Sequence, residues 1–160
     1  MIRKLFFVFS LLILISDVKA QDVKLLTIDQ LESRFKNGKD TVYVINFWAT
    51  WCAPCVAELP HFEKLQATYK TQLLKVLLVS LDYKSKLQNV VKPFIKRNKL
   101  TNEVFLLNEK NQQAYIDRIS REWSGALPAT LIVNYQKDIH KLFEQAFSYS
   151  ELEKAYKLLN

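Results

Sequence analysis

The chain has few of the residues that interrupt or cross-link a fold. Among its 160 residues there are only two glycines, four prolines, two cysteines and two histidines. So little glycine and proline argues against long linkers, and the sequence contains neither an internal repeat nor a low-complexity tract. The length and composition therefore predict one domain with a substantial core.

The scarcity of cysteine limits the cross-links and metal sites that the chain can form. Cys52 and Cys55 are its only cysteines. A disulfide between them closes so small a loop that it removes little chain entropy and stabilises the fold little. A structural zinc site needs about four ligands, and beyond the cysteines only His61 and His140 are obvious candidates. The sequence therefore predicts no metal site and indicates a chemical role for the two cysteines.

Basic residues outnumber acidic ones without forming a dense basic run. The formal net charge is +7 for the whole chain and +5 for residues 21–160. The lysines, such as Lys84, Lys92 and Lys99, are spread along the sequence. This pattern favours a solvated surface over a nucleic-acid-binding site, and leaves open an attraction to acidic partners or to a membrane surface.

The first twenty residues have the pattern of a signal peptide. Arg3 and Lys4 precede an apolar stretch over residues 5–15, and Val18 and Ala20 are the small residues of a cleavage site before Gln21. This stretch of eleven residues, interrupted only by Ser10, is too short to cross a bilayer, which takes ~20 residues. We therefore predict export and removal of residues 1–20, with retention as a membrane anchor as the alternative. No cysteine follows the apolar stretch, which argues against a lipoprotein.

Hydrophobic periodicity predicts alternating strands and helices in the rest of the chain. Pro60 is expected to kink the second helix. Ser150 is the predicted N-cap of the last helix, with Glu153 completing a capping box. The order of elements implies a mixed sheet with helices on both faces. The predicted strands are 23–27, 41–48, 73–81, 104–107, 130–135 and 139–147, and the predicted helices are 29–36, 52–69, 86–98, 112–123 and 150–160.

The two cysteines lie between a continuous apolar strand and an apolar helix. A helix that begins at Cys52 directs its free backbone N–H groups and the positive end of its dipole at the first sulfur. Such a position lowers the pKa of the thiol and raises its reactivity at neutral pH. Pro54 has no N–H and a fixed φ, so it holds the first turn and keeps the sulfurs close. The pair is suited to exchanging disulfides with a partner.

The segment from Val44 to Cys55 (VINFWATWCAPC), with Glu58-Leu59-Pro60, Val79-Ser80-Leu81-Asp82 and Gly125-Ala126-Leu127-Pro128-Ala129-Thr130, resembles the thioredoxin superfamily. It is most similar to the exported TlpA/ResA-type thiol–disulfide oxidoreductases, over nearly all of residues 21–160. The resemblance implies a thioredoxin-like α/β domain over 21–160, with a central mixed β-sheet flanked by helices on both faces. It also implies a cis peptide bond before Pro128, facing the disulfide.

The resemblance also implies roles for individual residues. Cys52 is the expected nucleophile, Cys55 the resolving thiol, and their redox-active disulfide takes the place of a cofactor. Glu58 is expected to be a partly buried acid that exchanges protons with Cys55, because Asn46 stands where thioredoxins carry a buried aspartate. An exposed helix glutamate is the alternative. Trp51, Leu127 and Pro128 are expected to border the substrate groove, with Trp123 and Gly125 at its rim and Trp48 mainly in the core.

The leading functional hypothesis is a reductant of exported, cysteine-containing proteins in the periplasm. Apocytochrome c haem-binding thiols are one substrate that the resemblance suggests, and a membrane thiol donor would supply the electrons. The alternatives are a disulfide-forming oxidant and a redox-inert binding or chaperone module. A peroxidase is disfavoured, because Cys52 lacks the usual setting of a peroxidatic cysteine, which is a threonine four residues upstream in a proline-rich loop. No nucleic-acid partner is expected, and membrane contact is expected only if the signal segment is retained.

Overall fold

The computed structural model describes residues 22–160, so the predicted signal peptide lies outside the described residues. No helix in this part of the chain is long and apolar enough to cross a membrane. The elements are, in chain order, β1 (Lys24–Leu26), α1 (Ile28–Lys36), β2 (Val42–Trp48), α2 (Ala53–Thr68), β3 (Leu74–Ser80), α3 (Lys92–Asn98), β4 (Glu103–Leu107), α4 (Gln112–Ile119), β5 (Ala129–Asn134), β6 (Ile139–Phe143) and α5 (Tyr149–Leu158).

The six strands form one mixed sheet in the order β1-β4-β3-β2-β5-β6. The first four strands in this order are parallel to one another, whereas β5 runs antiparallel to β2, and β6 runs antiparallel to β5. Parallel neighbours need crossover connections, which the helices provide, while β5 and β6 are joined by a short turn. The predicted fold class, a mixed sheet with helices on both faces, is confirmed.

Alternate residues of each strand enter two apolar clusters, one on each face of the sheet. We call them the site face, which packs against α2, α3 and α5, and the opposite face, which packs against α1 and α4. On β2, Val44 and Trp48 belong to the site face, whereas Ile45 and Phe47 belong to the opposite face. All seven β2 residues are buried, as the continuous apolar run predicts.

The predicted helix 86–98 consists of three successive helical segments in the structure. A 3-10 turn (Lys84–Lys86) leads into a π turn (Leu87–Val91), and α3 begins only at Lys92. Pro93 lies in the first turn of α3, where its missing N–H leaves no helical hydrogen bond unmade. Two other predicted elements are too long: α4 ends at Ile119 rather than 123, and β6 ends at Phe143 rather than 147.

The predicted N-cap of the last helix is wrong by two residues. Ser148, not Ser150, caps α5: its side chain accepts a hydrogen bond from the Glu151 N–H, and the Glu151 carboxylate accepts one from the Ser148 N–H at 2.9 Å. The sequence contains two overlapping Ser-x-x-Glu capping boxes. The earlier one is used because the chain is still extended at Ser148, where ψ is 162°.

Candidate functional site

Cys52 and Cys55 lie where β2 ends and α2 begins. They form a disulfide in the structure. Cys52 is the N-cap of α2, and the Cys55 N–H points at its Sγ at 3.4 Å. Cys52 is 6 % exposed and Cys55 is fully buried, so the small exposure of the pair belongs to Cys52. This arrangement of a helix N-terminus and an N–H around Sγ of Cys52 favours negative charge on that sulfur once the disulfide is reduced.

The loop before Cys52 is held by a buried carboxylate. Asp82 Oδ2 accepts hydrogen bonds from the Thr50 N–H at 2.9 Å and from Ser80 Oγ at 2.8 Å, while Oδ1 accepts from Thr50 Oγ1 at 2.7 Å. Sequence reasoning gave Asp82 no role of its own. The sequence feature that could have identified it is Ser80-Leu81-Asp82 at the end of a buried strand, where an unpaired carboxylate would be costly. Asp82 therefore fixes the position of the residue two before Cys52.

Glu58 is buried on the site face, so the alternative of an exposed helix glutamate is wrong. It is 2 % exposed and lies one helical turn after Cys55, on the same side of α2. Its Oε2 accepts a hydrogen bond from the Phe147 N–H at 2.7 Å, and its Oε1 accepts one from Asn46 Nδ2 at 2.8 Å. Burial raises the pKa of Glu58 to about 7, although both hydrogen bonds favour the ionised form. The carboxyl group can therefore take up and release a proton near neutral pH.

Asn46 is the main polar partner of Glu58 from the sheet. Its Nδ2 also lies 3.3 Å from Thr130 Oγ1 on the neighbouring strand. Its Oδ1 is buried and has no hydrogen-bond partner within residues 22–160. Sequence reasoning identified Asn46 as a departure from thioredoxins but missed its contact with Glu58. It also missed Thr130 and Phe147, which lie in distant parts of the sequence.

The loop before β5 approaches the site with a cis peptide bond between Leu127 and Pro128, as the family resemblance implies. Pro128 is buried, and Leu127 is half-buried in contact with both apolar clusters. Trp123 is buried on the opposite face beside Phe47, and its Nε1 donates a hydrogen bond to the Ala126 carbonyl at 2.9 Å. It therefore supports this loop from below rather than forming the rim of a groove.

Gly125 is required by the shape of the same loop. Its φ is +89°, and a Cβ added there would lie 2.7 Å from Cδ1 of Ile116. Both the left-handed backbone and the close approach of α4 exclude a larger residue without local movement. The predicted position of Gly125 near the groove is consistent with its place in the lining of the cavity described next.

A cavity of about 630 Å³ adjoins the cysteine segment. Its lining includes Trp51, Gly125 and Leu127, together with residues after β3 and β4, Tyr83 and Lys110 among them. Trp51 is 69 % exposed. The structure thus places the predicted site residues in two groups. Cys52, Cys55 and Glu58 form a buried line along α2, and Trp51 and Leu127 border the adjacent cavity.

Pro54 and Trp48 occupy positions consistent with supporting roles. Pro54 lies in the first turn of α2 and is exposed between the cysteines. Trp48 is fully buried, packs against Phe94 at a ring-centroid distance of 5.3 Å, and is part of the core as expected. A disulfide-bonded CxxC at a helix N-terminus, beside a cis-proline loop on this mixed sheet, defines a thioredoxin-like dithiol protein.

The chain belongs to the AhpC/TSA family, whose model matches residues 17–142. It is 31 % identical over 127 residues to the thiol–disulfide oxidoreductase ResA of Oceanobacillus iheyensis, covering 79 % of this chain and 61 % of that protein. It is 30 % identical over 99 residues to the sporulation thiol–disulfide oxidoreductase A of Bacillus subtilis, covering 61 % of this chain and 56 % of that one. The chain thus spans somewhat more than half the length of these two curated relatives.

The fold is shared with solved structures of the same kind. The crystal structure of StoA from Bacillus subtilis matches with a TM-score of 0.58 at 26 % identity, covering 72 % of this chain and 82 % of that one. The relatives confirm the resemblance to ResA-type proteins that the sequence motifs indicate.

Proposed function

We propose that this chain is an extracytoplasmic thiol–disulfide oxidoreductase that reduces disulfides of exported proteins. One observation carries the proposal: Cys52, the more exposed of the two cysteines, lies at the N-terminus of α2, while Cys55 and Glu58 are more deeply buried on the same helix. That arrangement gives one sulfur the environment of a nucleophile and the other that of a resolving thiol beside a proton acceptor.

The reaction proceeds by two exchanges. The Cys52 thiolate attacks one sulfur of the partner disulfide, a Cys52–partner disulfide forms, and the other partner sulfur leaves as a thiolate that takes up a proton. Cys55 then attacks Cys52 Sγ, and the second partner sulfur leaves. The products are the reduced partner and the Cys52–Cys55 disulfide, which is the state of the structure. Two electrons pass from the dithiol to the partner.

Glu58 acts in the second exchange. Cys55 is fully buried, so it must lose its proton to a nearby group before it attacks. With a pKa of about 7, Glu58 can accept that proton at neutral pH and return it when the dithiol is regenerated. Asn46 and the Phe147 N–H stabilise the carboxylate between these steps.

The partners follow from this chemistry and from the sequence. Cysteine-containing exported proteins are the substrates, apocytochrome c haem-binding thiols among them, and a membrane thiol donor regenerates the dithiol. The signal-peptide pattern of residues 1–20 and the names of the relatives, which are thiol–disulfide oxidoreductases, support this proposal and a periplasmic location.

Reduction of insulin by the purified chain, with a reducing agent in excess, tests the activity. Cys52→Ser should abolish turnover because no nucleophile remains, and Cys55→Ser should accumulate the mixed disulfide with the partner. Serine keeps the size of the side chain at both positions, so folding serves as the control. Turnover by Cys52→Ser at the wild-type rate would refute the role of the dithiol.

The reduction potential decides the direction of electron flow. Equilibration against glutathione or dithiothreitol should give a value near the ~−270 mV of thioredoxin or lower for a reductant. A value near the ~−120 mV of DsbA would make the chain a disulfide-forming oxidant.

A further inference from the structure

The positive charge of the domain is concentrated on one stretch of chain. Residues 83–102, which we call the basic segment, contain six lysine and arginine residues and no aspartate or glutamate. Residues 21–160 have a net charge of +5, so the remainder of the domain carries slightly more acid than base. The lysines alone are spread along the sequence, and the local excess of positive charge becomes clear only when the positions of the aspartates and glutamates are considered as well. The six cations of the segment are Lys84, Lys86, Lys92, Lys96, Arg97 and Lys99.

The carboxylates that border the basic segment already accept hydrogen bonds or form an ion pair within the protein. Asp82 is buried and bound to Thr50 and Ser80, as described above. Glu63 accepts hydrogen bonds from residues 101 and 102 at the far end of the segment. Glu103 pairs with Arg34 at 2.8 Å. Within the described residues, Lys92 pairs with Asp22, whereas Lys84 and Lys86 are exposed and form no ion pair.

The basic segment begins at the cavity beside the cysteines. β3 ends at the edge of the sheet where β2 leads into Cys52, so Lys84 and Lys86 lie at the site edge, and α3 carries the other cations away from it. Tyr83 and Lys84 line the cavity together with Trp51, and Tyr83 is 80 % exposed. The cavity lining therefore contains two exposed aromatic side chains, and the excess positive charge of the basic segment begins beside it.

The charged groups in the cavity lining balance formally, because the lining contains Lys84 and Lys110 as well as Asp82 and Glu109. Asp82 is saturated by its hydrogen bonds, and Glu109 Oε1 accepts a hydrogen bond from the Ile28 N–H at 2.7 Å. Lys110 forms no ion pair among the described residues. The two carboxylates are thus held by the protein, while both ammonium groups are available to a ligand.

We propose that the cavity and the adjoining Lys84 and Lys86 form a docking surface for a polypeptide that carries acidic residues and an apolar side chain next to its cysteine. The apolar side chain occupies the cavity between Trp51 and Tyr83, and the acidic residues contact the lysines. This inference rests on the proposed function, because it is the partner's cysteine that docking brings to Cys52. A concave site that includes Trp51, Tyr83 and Leu127 in its lining suits a side chain of a protein better than the flat surface of a bilayer.

The physical consequence is selectivity among protein partners. Charges at the rim of an interface act mainly on the rate of encounter, and salt screens them over a Debye length of ~8 Å at physiological ionic strength. Partners with acidic flanks should therefore be favoured most strongly at low salt. The distal cations on α3 extend the same field and steer an acidic partner toward this side of the molecule.

Peptide binding to the full chain tests the proposal. Two fluorescent peptides of equal length share a central Phe-Ser, with serine in place of cysteine, and differ in carrying either glutamates or lysines as flanks. Fluorescence anisotropy should show at least tenfold tighter binding of the acidic peptide at low salt, and Lys84→Glu/Lys86→Glu should remove roughly that factor. The matched control, Lys70→Glu/Lys137→Glu, makes the same change of net charge in exposed turns at the opposite edge of the sheet, and should alter binding less than twofold.

The outcomes separate this proposal from its competitors. Equal binding of the acidic and basic peptides would overturn the proposal. Equal losses of binding in the two double variants would also overturn it, because only the net charge of the protein would then matter. A third outcome would also overturn the proposal: the wild type binds phosphatidylglycerol vesicles, Lys84→Glu/Lys86→Glu does not, and neither peptide is preferred. The lysines would then serve to bind a membrane surface. Because these peptides contain no cysteine, a failure of docking is distinct from a failure of insulin reduction.

Tyr83→Ala tests the apolar part separately. It should weaken the acidic Phe-containing peptide severalfold and have a smaller effect on the same peptide with alanine in place of phenylalanine. Equal losses for the two peptides would show that Tyr83 does not contact the apolar side chain.

Discussion

The two faces of the sheet are formed by the same strands, yet they bury different chemistry. On the opposite face, the buried strand positions of residues 22–160 are aliphatic or aromatic, for example Ile45, Phe47 and Leu77. On the site face, buried polar side chains interrupt the apolar pattern of three strands. By strand alternation these are Asn46, Ser80, Thr130 and Asn134.

The difference shows where the domain gives up apolar packing for function. Asn46 donates to Glu58, Thr130 accepts from Asn46, and Ser80 donates to Asp82. Asn134 lies at the other end of β5, where it holds the turn to β6. Buried polar groups are costly unless they are hydrogen-bonded, and the Asn46 Oδ1 has no partner in the described residues. The opposite face therefore mainly supplies stability, whereas the site face also holds a titratable group in a dry environment.

Truncating one leucine on each face of β3 should break this comparison most clearly. Leu77 and Leu78 are both fully buried neighbours on one strand, facing opposite clusters. Each change to alanine should cost about 2–5 kcal/mol in urea unfolding of the oxidised protein. Leu78 is in register with Asn46, so Leu78→Ala should also admit water beside Glu58 and lower its pKa toward the usual range. Leu77→Ala should leave that pKa unchanged; a similar shift in both variants would contradict the separation of the faces.

With the disulfide intact the cysteines do not titrate, so the difference in pH-dependent stability between the wild type and Glu58→Gln should report Glu58. The folded-state pKa of about 7 lies above the ordinary value of 4.5, so the contribution of Glu58 to stability is complete below pH 4.5 and is lost as the pH rises through 7. Relative to Glu58→Gln, the wild type should lose up to about 3 kcal/mol between pH 4.5 and pH 8. The difference in unfolding free energy between the two proteins measures it.

A parallel profile for wild type and Glu58→Gln would show that this carboxyl group does not titrate abnormally. Glu151, which is exposed at the start of α5, provides the control. Glu151→Gln should leave the slope between pH 6 and pH 8 as in the wild type, because hydrogen bonds from Ser148 lower the pKa of Glu151 and place its titration below that range.

Asn46→Leu should sharpen the comparison by making the site face more like the opposite one. It removes the hydrogen bond to Glu58 Oε1 and leaves the Phe147 N–H as the remaining donor to that carboxylate. Since a hydrogen bond to a charged group is worth about 1.5–3 kcal/mol, the pKa of Glu58 should rise by about one to two units. NMR titration of the carboxyl carbon measures the shift. Thr130→Val is the matched control, because Thr130 contacts Asn46 but donates nothing to Glu58; an equal shift there would argue against a direct effect.

Much of this arrangement could be predicted from local sequence. The continuous apolar run of β2 predicts a central strand, and the CxxC between strand and helix predicts the position of the dithiol. The spacing of three residues between Cys55 and Glu58 predicts that they share a side of α2. The cis bond before Pro128 came from the family resemblance, because an X-Pro bond by itself is far more often trans.

The partners of Glu58 could not be predicted in this way. Phe147 lies 89 residues from Glu58, and Thr130 lies 84 residues from Asn46. No local pattern contains such contacts, since they depend on how β5 and the start of α5 pack onto α2. The basic segment, in contrast, could have been found from the sequence, because residues 83–102 contain six lysine and arginine residues and no aspartate or glutamate.

The turn between β5 and β6 shows the same limit at short range. Without glycine it lacks the favoured sequence for a tight hairpin. In the structure Asp138 adopts the left-handed conformation instead, with a φ of +54°, and Asn134 Oδ1 accepts hydrogen bonds from the N–H groups of residues 136 and 137. Side-chain capping of this kind depends on local geometry that the composition of the turn does not specify.

The two serines before α5 give the smallest expected effects and test the competing capping boxes. Ser148→Ala should destabilise the protein by about 1 kcal/mol because it removes the acceptor for the Glu151 N–H, whereas Ser150→Ala should change stability by only a few tenths. The Phe147 N–H immediately before this cap donates to Glu58, so a looser cap should also raise the pKa of Glu58 slightly. Ser150→Ala should not alter that pKa. A larger stability loss from Ser150→Ala than from Ser148→Ala would show that Ser150 is the N-cap, as the sequence predicts. The start of α5 would then have no influence on the pKa of Glu58.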